Sequence, residues 1–200
     1  MKGDIQRRIS IAILALTVLW TLPAQADPPA RQVTSRSPPE VADAVIKAMV
    51  VYHFAKFIEW PEAVFADKQS PIKICFYGEK PSEIRQASAA INGKIAQGRE
   101  IRVKRMATLP ELSDCQLIFI PENEKRWMQE ILRIAGAASA LTVSDMENSI
   151  DAGGGAGLLT IDNQIRFEFN LEATQASRLK ISSQLLKLAR MVKGQAVRSE

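Results

Sequence analysis

The stretch Ile165 to Ala189, I-R-F-E-F-N-L-E-A-T-Q-A-S-R-L-K-I-S-S-Q-L-L-K-L-A, changes period without a break. Ile165, Phe167 and Phe169 alternate with Arg166, Glu168 and Asn170, the period of two of a strand with unlike faces. Beyond Asn170 the apolar residues Leu171, Ile181, Leu185, Leu188 and Val192 recur at helical spacing, and Leu186 and Ala189 stand beside them. Ser182 and Ser183 offer side-chain oxygens to cap a last helix. A strand and a helix so arranged need the rest of the chain as a packing surface.

Working outward, Leu158 to Ile161 and Gln164 to Phe169 read as a hairpin closed by Asp162-Asn163, since both turn residues tolerate positive φ. Upstream, Ile72 to Phe76 and Arg99 to Met106 alternate, the second with one wet side. Leu117-Ile118-Phe119-Ile120 is a continuous apolar run, the pattern of a strand covered on both faces, and Ala140 to Val143 adds another. Helices fall between them: a long one from Glu40 to Trp60 stopped by Pro61, a short one opened by Pro81 and Ser82, and one from Glu122 to Gly136. The order predicts a single layered α/β domain over 40–194. Its central sheet is largely parallel, ends in an antiparallel hairpin and has helices on both sides. The first helix is apolar round much of its surface, which fits burial in the domain or contact with another chain.

The ends read as addresses and tethers. Lys2, Arg7 and Arg8 precede an apolar run from Ile9 to Leu22 and then Ala24-Gln25-Ala26, the plan of an export signal cleaved after Ala26. The run is shorter than the ~20 residues a spanning helix needs. Residues 27–39 hold Pro28, Pro29, Pro38 and Pro39 and predict an extended tether; 195–200 is a tail. Removing residues 1–26 takes away Lys2, Arg7, Arg8 and Asp4, so the formal charge falls from +4 to +2. A nearly neutral exported domain argues against a nucleic-acid partner. Cys75 and Cys115 are an even count in an oxidising compartment, which favours a bridge over two buried thiols without excluding the latter.

Enzyme chemistry finds little support. The glycines at 153–157 precede a strand rather than a helix, and no Lys-Ser/Thr pair follows, so a phosphate loop does not fit. His53 is the only histidine and lies on an apolar helix; with two cysteines expected to pair, no metal ligand set and no cofactor are expected. Asp145 and Glu147 follow the strand at 140–143, at the sheet's carboxyl end, where ligands sit in open α/β folds. The polar row Arg166, Glu168 and Asn170 is either a structural network or a recognition surface.

Taken together, F-A-K-F-I-E-W-P at 54–61, I-K-I-C-F-Y-G at 72–78, C-Q-L-I-F-I at 115–120, L-T-V-S-D at 141–145, the glycine run and I-R-F-E-F-N resemble the YfiR/HmsC-type family of periplasmic repressors. The resemblance implies a non-catalytic protein that binds the periplasmic sensory domain of an inner-membrane diguanylate cyclase, lowering cyclic di-GMP and biofilm formation. It also implies a releasing partner at the outer membrane, a homodimer, and a Cys75–Cys115 disulfide. Some members carry a second cysteine pair in the loop matching Gly153 to Gly157, and this chain has none there. The surface expected to meet a partner combines Gly154, Gly155 and Ala156 with Arg166, Glu168 and Asn170 and the exposed parts of the last helix. The alternative is a periplasmic small-ligand binder with its pocket at the carboxyl ends of the strands.

Overall fold

The computed structural model describes residues 38–78 and 81–194. The expected export signal (1–26), most of the tether and the tail (195–200) lie outside the described residues. In chain order the elements are α1 (Pro38–Phe57), β1 (Ile58–Glu59), β2 (Ile72–Tyr77), α2 (Pro81–Ile91), β3 (Ile95–Ala96), β4 (Arg99–Met106) and β5 (Leu117–Ile120). They continue with α3 (Met128–Ala138), β6 (Leu141–Ser144), β7 (Ala156–Ile161), β8 (Gln164–Asn170), α4 (Leu171–Ala176), β9 (Lys180–Ile181), α5 (Ser183–Leu188) and β10 (Met191–Lys193). Single 3-10 turns at Pro110–Asp114 and Glu122–Trp127 flank β5.

The main sheet has eight strands in the order β10-β8-β7-β6-β5-β2-β4-β3. Its middle five, β4-β2-β5-β6-β7, are parallel; β8 turns back against β7, β10 runs parallel to β8, and β3 is antiparallel to β4. The mixed α/β fold with a mostly parallel sheet and a terminal hairpin is therefore as expected. Asp162 and Asn163 form the hairpin turn with φ of 49° and 58°, a geometry their short polar side chains tolerate.

Both faces are covered, for reasons visible in the strands. Ile74 and Phe76 of β2 with Leu117 and Phe119 of β5 point to α1, whose Ala48, Val51, Phe54 and Ala55 are fully buried against that face. Phe54 lies 5.2 Å from the Phe167 ring and 5.0 Å from that of Phe169, so the alternating apolar row of β8 anchors on α1. Cys75, Tyr77, Ile118 and Ile120 face the other way and pack on Met128, Ile131 and Ala135 of α3. The Cys75–Cys115 disulfide is formed across this second layer and ties β2 to the entry of β5.

Two expected elements end early. The helix expected at 40–60 spans Pro38–Phe57, taking in the last two residues of the expected tether, and Ile58–Glu59 leaves it to pair with Lys180–Ile181. The last helix expected through Val192 breaks into two short ones. Asn170 caps α4 and Ser182 caps α5, each side chain accepting from a first-turn N–H. Ala189 is extended, and Met191–Lys193 pairs with β8 instead of continuing the helix. The cause is the unpaired edge of β8: the Arg190 N–H donates to the Phe167 carbonyl and carries the chain into the sheet.

Candidate functional site

A cleft of about 680 Å³ opens beyond the carboxyl ends of β5 and β6, against β7, which projects past them. Glu122, Asp145 and Glu147 line it from the loops after these strands, Leu158 to Ile161 from β7, Glu168 from β8, and Lys47 from α1. Arg190 and Met191 close its far side.

Asp145 is the hub of one wall. It accepts from the Glu122 backbone N–H at 2.8 Å and from Lys47 Nζ at 3.0 Å, fastening α1 and the turn after β5 to the end of β6. Lys47 also meets Asp43 at 2.7 Å. Burial works against its charge, but these two carboxylates outweigh it and raise its pKa. The acidic pair after β6 is thus divided: Asp145 is a structural tie, and Glu147 stands on the cleft rim.

The polar row of β8 splits three ways. Arg166 is exposed and its guanidinium donates to Gln164. Glu168 is only 5% exposed; Arg190 Nη1 is 3.6 Å from its Oε2. Burial raises its pKa, the Arg190 charge opposes that, and Asp151 adds to it. Asn170 is buried too: its Oδ1 caps α4 through the Ala173 N–H and its Nδ2 donates to the Ile150 carbonyl, so it braces the loop before β7.

The glycine run is exposed only at Gly153. Gly154, Gly155 and Ala156 are buried, and Ala156 already belongs to β7. The Gly155 N–H donates to Thr142 Oγ1 while its carbonyl accepts from the Asn170 N–H. A Cβ on Gly154 would stand 2.8 Å from the Ser149 carbonyl oxygen, so the glycine is there for close backbone approach. Of the six residues expected to meet a partner, five are therefore buried and Arg166 alone is at the surface. The structure gathers Glu168 with Lys47, Asp145 and Arg190, a grouping the sequence did not suggest because α1 and β10 are far from β8 in the chain.

His53 is exposed on α1 and does not line the cleft. Among the described residues no three His, Cys, Asp or Glu side chains are placed to hold a metal ion, and no helix is long and apolar enough to cross a membrane.

The fold and its disulfide define a class, the single layered α/β domain with a crosslinked central sheet. Within it the chain belongs to the YfiR/HmsC-like family, whose model matches residues 44–190. That family comprises periplasmic, non-catalytic regulators of diguanylate cyclase signalling. Among solved structures, a conserved domain protein from Vibrio cholerae is similar in fold, with a TM-score of 0.51 at 9% identity. The match covers 75% of this chain and 60% of that one, so the chain spans less than two thirds of its length. A weaker likeness is to an ABC domain in complex with L-Trp from Streptococcus pneumonia, with a TM-score of 0.44, 11% identity, and 60% and 54% of the two chains covered; it bears on nothing further.

Proposed function

We propose that this protein is a non-catalytic periplasmic repressor of an inner-membrane diguanylate cyclase, acting by binding the sensory domain that the cyclase exposes to the periplasm. The observation that carries the reading is the family match, which runs from within α1 to the residue before β10 and so takes in every strand of the main sheet but that last edge strand. A partner at the outer membrane would release the repression, and the net effect is less cyclic di-GMP and less biofilm. A binder that prefers the inactive cyclase by about 3 kcal/mol changes the ratio of its two states roughly a hundredfold.

The contact surface we favour is centred on the β7–β8 hairpin. Arg166 meets the partner directly, while Asn170, Gly154, Gly155 and Ala156 hold the hairpin and the loop before it in place, with Glu168 buried beside them. The outer side of α1, where Ile46 is exposed, is the candidate face for a homodimer.

The test is deletion of the gene in a strain expressing the cognate cyclase. Cyclic di-GMP should rise and fall again on complementation; an unchanged level overturns the repressor reading. Arg166→Glu, an exposed position, should restore the fold but not the repression.

A further inference from the structure

The cleft carries a charge pattern that repression of a cyclase does not use. Five carboxylates line it, from Glu122, Asp145, Glu147, Asp151 and Glu168, against the two cations Lys47 and Arg190. Lys47 is already neutralised by Asp43 and Asp145, and Asp151 is held by Lys193 at 2.8 Å. At the floor, Glu168 has its ion-pair partner Arg190 at 3.6 Å, beyond hydrogen-bond length, and that guanidinium is half exposed.

A second group beside it lacks a partner altogether. Ser149 is 2% exposed and its Oγ has no hydrogen bond, which a buried hydroxyl seldom tolerates. The Ser149 Oγ and the Glu168 Oε1 lie 3.0 and 3.2 Å from the place a side chain at Gly157 would fill. Contacts this short leave no space for a side chain at residue 157, so its being glycine lets Ser149 and Glu168 pack against the β7 backbone; of the two, Glu168 is the one that lines the cleft. The cleft wall near it is aliphatic, from Leu159, Ile161 and Met191.

We propose that this cleft binds a small aliphatic amine, whose ammonium group donates to the Glu168 carboxylate and whose chain lies along the Leu159, Ile161 and Met191 wall. An anion would face the acidic ring, and a divalent metal lacks its ligand set among the described residues. An ammonium supplies what the floor lacks, several donors on one cation. The volume suits a small organic molecule.

The inference stands apart from the repressor reading, because it is tested on the purified, disulfide-bonded protein with no cyclase present. Spermidine and n-butylamine are titrated by calorimetry at fixed ionic strength, with 1-butanol as the uncharged control. Both amines should bind saturably and butanol should not. Glu168→Gln should weaken spermidine by about tenfold or more, the worth of one charge-assisted hydrogen bond. Thr160→Lys sets a cation at an exposed position on the cleft wall and should abolish binding with the fold untouched. Glu111→Gln, outside the cleft, should change nothing. Absence of saturable amine binding overturns the proposal, as does undiminished binding by a folded Glu168→Gln or Thr160→Lys protein.

Discussion

Glu168 on β8 and Arg190 at the entry to β10 face each other at 3.6 Å, with the carboxylate side chain 6% exposed and the guanidinium half in solvent. The pair sits where the last strand joins the sheet, at Met191↔Glu168 in the register. A buried charge with one loose partner costs more than it returns.

That imbalance has a sign in pH. Burial, reinforced by Asp151, lifts the Glu168 pKa despite Arg190, so the folded chain holds this proton more tightly than the unfolded chain. Below the unfolded carboxylate range both states are protonated and the residue costs nothing. As pH rises through that range and past the folded value, its cost appears in full. Glu168→Gln should therefore melt at or above the wild-type temperature at neutral pH, and the difference should close as the pH falls below the carboxylate range. A large loss of stability at neutral pH would show instead that the Arg190 pair is net favourable.

Asn170 makes two bonds that one substitution cannot replace together. Asn170→Ala removes the cap of α4 and the donor to Ile150, and should cost about 1 to 2 kcal/mol in denaturant unfolding. Asn170→Asp keeps the cap but sets a carboxylate against the Ile150 carbonyl, so it should recover little. Full recovery by Asp would mean that the cap alone matters.

How much of this was legible in the sequence varies element by element. The alternation of β8 and the unbroken run of β5 were readable because burial on one face or two writes itself directly into residue type. Asp162-Asn163 was readable for its local chemistry. The pairs β1–β9 and β3–β4 were not, since two residues carry no period. Val192 lies at helical spacing from Leu188, but Leu188 is 73% exposed and Val192 belongs to a strand, because the open edge of β8 outweighs the local pattern. For the site, polar Glu168 and Asn170 were visible as a row, but the loops and the neighbouring strand that bury them are contributed from elsewhere in the chain, and only the tertiary fold reveals that.

The glycine run gives a third prediction, which separates packing from recognition. A methyl group at residue 154 would lie 2.8 Å from the Ser149 carbonyl oxygen and 3.1 Å from the Met128 methyl, with φ outside the left-handed region. The penalty is therefore steric rather than conformational. Gly154→Ala should cost about 1 to 3 kcal/mol of stability, the range for overpacking a filled site. If the variant is as stable as wild type yet fails to repress, the glycine serves contact and not packing.

The Cys75–Cys115 bridge closes a loop with a sequence separation of 40 and joins β2 to the residue two before β5. Both cysteines are buried, at 0% and 1% exposure, so the bond is shielded from reductants while the fold holds. Its effect falls chiefly on the unfolded chain, where closing a loop of that size removes entropy worth roughly 4 kcal/mol. Native contacts should change little, because Ile118 and Leu112 pack around the same site whether or not the sulfurs are joined. The double variant Cys75→Ala with Cys115→Ala should thus keep the wild-type far-ultraviolet circular dichroism and lose about 3 to 4 kcal/mol in guanidinium unfolding. The oxidised wild type should resist dithiothreitol until denaturant is added. A double variant as stable as the wild type would mean that the unfolded chain is already compact around β2 and β5, and that the bridge guards oxidation state rather than stability.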